Sequence, residues 1–167
     1  MARLHAPIRL RWSDIDAYGH VNNSAMLRLL EEARIAGFWG HDPVVGNGTE
    51  TGNETDTDLP DPIIDGRPGS GTMTVIAAQR LEYLASIPYL RRPLDVQLWI
   101  GRIGGASIDV SYEVWSPAGV EPAVLYTRAT TALVMVDAAT NRPRRLTEAE
   151  RAACAPYVEP PVQFARP

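Results

Sequence analysis

The sequence predicts an α+β fold in which an antiparallel sheet wraps around one long central helix. Residues 24–39 carry apolar side chains at helical spacing, whereas several later stretches alternate between apolar and polar residues with the period of a strand. A parallel sheet needs a crossover helix between successive strands, and the sequence offers one long helix for all of them. An antiparallel sheet with a single central helix therefore explains the pattern best.

The first strand is predicted near the N-terminus. Ile8, Leu10 and Trp12 alternate with Arg9, Arg11 and Ser13, as in a strand that buries one face. We expect this strand to open the domain.

The central helix is predicted over residues 24–39. Met26, Leu29, Leu30 and Ala33 recur at helical spacing, and further apolar residues widen this stripe beyond one face. A helix that is apolar around much of its circumference needs to be enclosed by the rest of the domain.

Residues 40–71 read as a long insertion. They are rich in Gly, Pro, Asp and Thr, lack periodicity, and carry seven acidic residues but one arginine. Such a composition favours a partly disordered segment. A lid over a ligand pocket is the alternative.

Four strand patterns follow the insertion, and we expect them to be antiparallel neighbours. Gly104 and Gly105 predict a hairpin turn between the second and third patterns, and residues 116–119 predict another turn. Thr147 and Glu150 form a capping box that predicts a short final helix. The four patterns are residues 73–83, 94–102, 106–115 and 123–136.

Composition limits the class of protein. The 167 residues are 45% hydrophobic, which suits one domain spanning residues 1–167. A net charge of -4 does not suit a nucleic-acid surface.

The sequence lacks the run of about 20 apolar residues that a membrane span needs, and arginines interrupt its N-terminus, so we expect a cytoplasmic protein. The lone cysteine, Cys154, is expected to be a packing residue.

The segment between the first strand and the central helix carries candidate chemistry. Asp14 and Asp16 are two residues apart, so in an extended chain their carboxylates point to one side, and two like charges tend to raise the pKa of one of them. Gly19 permits a tight turn, and Asn22, Asn23 or Ser24 can cap the helix. A carboxylate beside a helix N-terminus suits acyl transfer, although the same residues occur in ordinary strand-to-helix turns.

The run D-x-D-x-x-G-H-V-N-N over residues 14–23, followed by Glu32-Ala33-Arg34, resembles the 4-hydroxybenzoyl-CoA thioesterase-like branch of the hotdog-fold thioesterase superfamily. Residues 81–84 and 90–95 resemble a second block of that family, in which a tyrosine and a short loop precede the next strand. The resemblance implies the hotdog fold and an acyl-CoA thioesterase.

The resemblance also implies roles for individual residues. Asp16 is expected to be the catalytic carboxylate, either as nucleophile or as the general base that activates water. Asn23 supplies the helix-terminal N–H that polarises the thioester carbonyl, and His20 is expected to orient water or substrate. Residues 18–21, which include Tyr18, Gly19 and Val21, are expected to line the reacting group. Met26 stands where the family usually has tyrosine, which indicates an apolar, adaptable acyl site.

Arginine is the expected ligand of the coenzyme A phosphates, because its planar guanidinium can donate two hydrogen bonds to phosphate oxygens. Arg91, Arg92 and Arg128 are the candidates in this sequence. The resemblance implies no metal and no organic cofactor, because coenzyme A is part of the substrate, and it implies a homodimer or homotetramer with sites at the subunit interface.

Two other functions fit the same residues. An acyl-carrier-protein thioesterase would need an exposed arginine patch for its acidic partner. A non-catalytic hotdog module would bind acyl-CoA without releasing thiol, because one fold can support unrelated functions.

Overall fold

The computed structural model describes residues 3–39, 63–65 and 69–165. These residues form six strands in one sheet, two α-helices and two short 3-10 turns. In chain order the elements are β1 (Leu4–Ile8), a 3-10 turn (Trp12–Asp14), α1 (Asn23–Phe38), β2 (Thr72–Tyr83), β3 (Leu94–Ile103), β4 (Ser107–Trp115), β5 (Leu125–Asp137), β6 (Arg142–Pro143), α2 (Glu148–Cys154) and a second 3-10 turn (Ala155–Tyr157).

The strands are antiparallel and follow the order β1-β3-β4-β5-β2, with the short β6 paired to β5. The α+β class is therefore confirmed, and so is the hairpin at Gly104 and Gly105 between β3 and β4. The prediction that the four later strands are antiparallel neighbours is also confirmed, in the order β3-β4-β5-β2, so that β2 pairs with β5 and not with β3. Alternation shows which side chains share a face but does not specify which strand lies alongside.

The first strand lies earlier than the sequence pattern suggested. β1 ends at Ile8, and Trp12 lies in the 3-10 turn with 74% of its surface exposed. The turn forms because the Asp14 carboxylate accepts a hydrogen bond from the backbone N–H of Arg11 at 2.7 Å, which bends the chain out of the extended conformation.

Helix α1 packs against the inner face of the sheet, as predicted. Met26, Leu29, Leu30 and Ala33 are at most 1% exposed. At Gly37 the approach is so close that an added Cβ would lie 2.6 Å from a methyl group of Leu98. A side chain at this position would require the Leu98 side chain to move, so the glycine permits the contact.

The predicted insertion at residues 40–71 falls largely on residues 40–62 and 66–68, which lie outside the described residues, and so do the alternatives of disorder and a lid. Ile63 and Ile64, between these two stretches, are buried in the core. The N–H of Ile64 donates to the carbonyl oxygen of Phe38 at 3.2 Å and satisfies a carbonyl in the last turn of α1.

Residues 158–165 cross the outer face of the sheet, opposite α1, and we call them the C-terminal strap. The indole N–H of Trp99 donates to the carbonyl of Pro160 at 2.9 Å, and the N–H of Val162 donates to Ser111 Oγ at 3.2 Å. The N–H of Ala165 then donates to the Glu82 carboxylate at 3.1 Å. The strap therefore connects the middle of the sheet with its β2 edge.

Before the strap, α2 begins with the predicted capping box. The N–H of Glu150 donates to Thr147 Oγ1 at 3.1 Å, and the N–H of Thr147 donates to the Glu150 carboxylate at 2.7 Å. Hydrogen bonding from Arg144 lowers the pKa of Glu150 to about 2, so this carboxylate is ionised at neutral pH.

Neither of the two described α-helices is long and apolar enough to cross a membrane.

Candidate active site

The segment from Asp14 to Asn23 folds back on itself. The N–H of Asp16 donates to the carbonyl of His20 at 2.8 Å, and Gly19 adopts a φ of +80°, a left-handed conformation that favours glycine. Ile15 and Val21 form an isolated antiparallel bridge. The predicted tight turn is therefore present, and it directs the chain into α1.

The two aspartates of this segment have different environments. Asp14 is 1% exposed, and its carboxylate accepts from the N–H of Arg11, while its carbonyl accepts from the N–H of Asn22 at 2.8 Å. Asp16 is only partly buried and lines a cavity. The extended conformation under which both carboxylates would project to one side is not present, because Trp12–Asp14 form a 3-10 turn.

The Asp16 carboxylate is held by backbone amides. Its Oδ1 accepts from the N–H of Tyr18 at 2.8 Å and from the N–H of His20 at 3.2 Å. Oδ2 accepts no hydrogen bond from the described residues. One oxygen therefore sets the orientation of the carboxylate, and the other is free to act on a ligand.

The N-terminus of α1 lies beside this carboxylate. Asn22 is the N-cap, and its side-chain oxygen accepts from the N–H of Ser24 at 2.9 Å. The N–H of Asn23, the first residue of the helix, has no acceptor among the described residues. This free donor lies at the positive end of the helix dipole, where it can stabilise a developing negative charge.

The helix terminus and Asp16 share a cavity of about 320 Å³. This volume is within the usual range for small-molecule sites, about 300–1,000 Å³. Its lining comprises Asp16, His20, Val21, Asn23 and Met26 on one side and Tyr83, Leu84, Ala85, Ser86 and Ile87 on the other.

The second wall, residues 83–87, is the start of the connection between β2 and β3 and was not among the predicted site residues. Backbone contacts hold it against the first wall: the N–H of Val21 donates to the carbonyl of Ile87 at 2.9 Å, and His20 forms a bridge with Pro88. The only sequence signal was that Tyr83 and Leu84 belong to the second block of the family resemblance. A pairing between segments more than sixty residues apart leaves no local pattern.

Tyr83 is part of the cavity wall. Desolvation raises the pKa of this phenol, so it stays protonated at neutral pH and can donate a hydrogen bond. Its side chain remains half exposed, as does that of its neighbour Leu84. This end of the cavity is thus open to solvent in the single chain.

The other predicted substrate-contacting residues of the segment differ in their positions. Tyr18 is 85% exposed and lies outside the cavity, and it contributes its backbone N–H to Asp16 rather than its side chain to the wall. Gly19 provides the turn. His20, Val21 and Met26 do line the cavity, and the roles of all five residues in substrate binding stay predictions.

The three predicted phosphate-binding arginines do not line the cavity. Arg92 donates to the carbonyl of Ala118 in the β4–β5 turn, and Arg128 lies on the outer face of the sheet, 3.7 Å from Glu113. Arg91 is exposed and follows Pro88 by three residues. Of the three, it is the one without a hydrogen bond or ion pair to a described residue.

The residues that line this cavity include neither a cysteine nor a group of three metal-ligating side chains. Among the described residues, no group of three or more His, Cys, Asp or Glu side chains could hold a metal ion. Burial raises the pKa of the Cys154 thiol to about 11, so it is a poor nucleophile and fills a core position, as expected for a lone cysteine.

Residues 10–155 match the family model of the thioesterase-like superfamily. This match covers most of the chain, including the Asp14–Asn23 segment, α1 and four of the five long strands in full. Among curated proteins, none matches the chain.

Several solved structures are similar to this one. A candidate thioesterase from Pseudomonas aeruginosa is 28% identical, with a TM-score of 0.63 over 91% of this chain and 98% of that one. A predicted thioesterase from Bacillus stearothermophilus is 20% identical, with a TM-score of 0.68 over 96% and 100%. A thioesterase from Thermus thermophilus, complexed with coenzyme A and zinc, is 21% identical, with a TM-score of 0.64 over 92% of each chain.

Proposed function

The chain belongs to the thioesterase-like superfamily, and we propose that it hydrolyses acyl-CoA thioesters to a free acid and coenzyme A, with Asp16 as the catalytic carboxylate. One observation carries the proposal: Asp16, whose carboxylate is oriented by two amides, and Asn23, at the positive end of α1, line the same cavity. Hydrolysis of a thioester requires both a group that attacks or activates water and a donor for the oxyanion.

Asp16 can act by two routes. As a nucleophile, its free Oδ2 attacks the thioester carbonyl, expels the coenzyme A thiolate and forms an anhydride, which water then hydrolyses. As a general base, it takes a proton from the water that attacks the carbonyl. Both routes consume one water and release one acid and one thiol. The amide donors Tyr18 and His20 support either route, because they prevent the carboxylate from rotating away.

The oxyanion that forms at the thioester carbonyl is proposed to accept from the N–H of Asn23. This donor is preorganised, because the Asn22 cap fixes the first turn of the helix before substrate arrives. The imidazole of His20, in the cavity wall, is proposed to orient water or substrate.

The remaining surfaces suit the two parts of an acyl-CoA. Val21, Met26 and Ile87 provide apolar contacts for the acyl group. Coenzyme A is bound by the Thermus thermophilus relative. In this chain its phosphates are proposed to contact arginine, with Arg91 the first candidate and Arg92 and Arg128 the others. The reaction as proposed uses no metal and no organic cofactor.

The proposed assembly is a homodimer formed through β2. This strand is at the edge of the sheet and is twelve residues long, and Val75 and Ile76 are 47% and 41% exposed. A long apolar edge strand normally pairs or is covered. Pairing two copies here would bring the half-exposed Tyr83 and Leu84, and with them the open end of the cavity, to the subunit interface.

Light scattering tests the assembly. We expect a mass of twice the 18.3 kDa chain, and a fourfold mass would indicate the homotetramer. Val75→Glu places a charge on the β2 edge and should give monomers. The matched change Val134→Glu lies on the paired strand β5, away from that edge, and should leave the dimer intact. A monomeric native protein would contradict the proposal.

The activity is tested by thiol release from short, medium, long and aromatic acyl-CoAs, with matching acyl-carrier-protein substrates beside them. Native protein should release coenzyme A, and Asp16→Asn should lose that release while remaining folded. Binding without release by native protein would support a non-catalytic acyl-CoA module instead, and release from the carrier protein alone would change the substrate class.

A further inference from the structure

Ser86 belongs to the cavity wall that the connection between β2 and β3 forms. It lines the cavity together with Asp16 and Asn23. Its hydroxyl makes no hydrogen bond to a described residue. In contrast, the hydroxyls of Ser111 and Ser116 both accept from backbone N–H groups and help to hold the fold. The hydroxyl of Ser86 therefore has no structural partner among the described residues.

Hydrogen bonds on both sides fix the position of Ser86. The N–H of Ala85 donates to the carbonyl of Tyr126 in β5 at 3.2 Å, and the carbonyl of Ile87 accepts from the N–H of Val21 at 2.9 Å. Ile87 is 3% exposed, so its side chain anchors the wall in the core. Ser86 is thus placed before a ligand arrives, which catalysis by a fixed donor requires.

The direction of the two walls places Ser86 on the side of the helix N-terminus. The segments that contain Val21 and Ile87 run antiparallel. In such a pair, one step back along one segment matches one step forward along the other. The residue before Ile87 is Ser86, and the residue after Val21 is Asn22, the N-cap of α1. Ser86 therefore lies on the side of the proposed oxyanion donor.

Asp16 lies on the opposite flank of the segment that contains Val21. Ile15 pairs with Val21 on one flank, and Ile87 contacts Val21 on the other. Neighbouring extended segments are about 4.8 Å apart, so the two flanks are separated by roughly 10 Å, enough for a thioester group between the side chains of Asp16 and Ser86. A carbonyl bound there can be attacked from one flank and polarised from the other.

We propose that Ser86 is a second oxyanion donor, whose hydroxyl donates a hydrogen bond to the thioester carbonyl oxygen beside the N–H of Asn23. This role rests on the proposed function. When Asp16 or the water that it activates attacks the carbonyl carbon, the oxygen becomes an anion that accepts from both donors. The proton stays on Ser86 throughout.

The hydroxyl contributes to the rate because its hydrogen bond strengthens during the reaction. A hydrogen bond to a charged oxygen is about twice as strong as one to a neutral oxygen, so the transition state gains more than the bound substrate. A serine nucleophile would need an adjacent base, and no described residue forms a hydrogen bond with the Ser86 hydroxyl. Donation is therefore the role that fits Ser86.

Thiol release from octanoyl-CoA and benzoyl-CoA tests the proposal. Ser86→Ala should lower kcat about tenfold to a hundredfold, the loss of one hydrogen bond to a charged oxygen. Ser86→Thr keeps a hydroxyl and should retain most of the native kcat. Ser13→Ala removes an exposed serine outside the cavity and should leave kcat unchanged.

Two kinetic results would overturn the proposal. A near-native kcat for Ser86→Ala would show that the hydroxyl does not act in the reaction. A loss in Ser86→Thr as large as in Ser86→Ala would assign the effect to the shape of the wall and not to the hydroxyl.

The carbonyl stretching frequency of bound octanoyl-CoA tests the hydrogen bond without turnover. The thioester carries an isotope-labelled carbonyl and is bound to Asp16→Asn, with and without Ser86→Ala, for infrared difference spectra. A donor lowers this frequency, so removing the hydroxyl should raise it. An unchanged frequency would overturn the proposal and would place Ser86 with the attacking water instead.

The proposed function and the role of Ser86 fail in different ways. If native protein releases no thiol from any acyl-CoA, the proposed function fails. If native protein releases thiol and Ser86→Ala releases it as fast, only the role of Ser86 fails.

Discussion

Two parts of α1 hold polar side chains in sites that are built in different ways. At the N-terminus, Asp16 is held by the N–H groups of Tyr18 and His20, two and four residues away. In the C-terminal half, Arg34 is held by the side chain of Tyr112, 78 residues away. One site is thus organised by backbone groups of a short segment, and the other by side chains from distant parts of the chain.

This difference decides which substitutions each site tolerates. A backbone donor such as the N–H of Asn23 is present for any residue except proline, so the identity of the side chain matters little for it. A side-chain pair such as Arg34 and Tyr112 is lost when either partner is truncated. Substitutions at the N-terminus of α1 should therefore act mainly on catalysis, and those at Arg34 and Tyr112 mainly on stability.

The largest effect is expected for Asp16→Asn. The amide keeps an oxygen that can accept from Tyr18 and His20, but it can neither attack a carbonyl nor take a proton from water. We expect kcat/KM for thioester hydrolysis to fall about a thousandfold. Steady-state thiol release measures it, and an unchanged circular dichroism spectrum is the control. A variant with near-native activity would remove Asp16 from the mechanism.

A smaller effect is expected when the helix-terminal donor is removed. Asn23 is the first residue of α1, where proline is tolerated, and Asn22 has a ψ of 145°, which suits a residue before proline. Asn23→Pro should therefore fold and lose about a hundredfold in kcat.

The matched variant is Asn23→Ala, which retains the N–H. Its kcat should stay close to that of native protein. If the alanine variant loses as much as the proline variant, the Asn23 side chain and not the backbone acts in catalysis.

Asp14→Ala should affect stability more than chemistry. The substitution removes the acceptor for the N–H of Arg11 in the 3-10 turn. We expect the free energy of unfolding to fall by about 1–3 kcal/mol, the cost of leaving a buried donor without a partner. Urea denaturation measures it. The opposite pattern, normal stability with lost activity, would make Asp14 part of the reaction.

The smallest effect is expected for Tyr112→Phe in the other region. The change removes the hydroxyl that Arg34 contacts and should lower the free energy of unfolding by about 1 kcal/mol. Thioester hydrolysis should stay unchanged, because Arg34 lies about three helical turns from Asn23. A large loss of hydrolysis would show that the two regions are coupled.

The same contrast explains how much the sequence could predict. Helix α1 was predicted within one residue of its observed bounds, because its apolar stripe and its cap are local features. Asp16 and Asn23 were found together for the same reason, since both belong to one short segment. The hairpin at Gly104 and Gly105 is likewise local.

Features that depend on distant contacts were missed. The position of β2 beside β5 and the wall formed by residues 83–87 both arise from pairing between remote segments. The burial of Arg34 requires Tyr112, and nothing near Arg34 in the sequence indicates it. The 3-10 turn at Trp12–Asp14 is an exception, because it was missed although its hydrogen bonds are local: Arg11 donates to the Asp14 carboxylate, and the N–H of Asp14 donates back to the Arg11 carbonyl.

The C-terminal strap has a consequence for the order in which the protein is completed during synthesis. It covers Trp99 and passes so close to Gly101 that an added Cβ would lie 3.1 Å from Pro161 Cα. Because a ribosome makes these residues after the sheet, β3 and β4 can pair before the strap reaches Trp99, whose ring the Arg3 guanidinium contacts at 3.9 Å. The outer layer closes only once the strap has been made, so a protein truncated before residue 158 exposes the part of the indole that the strap covers.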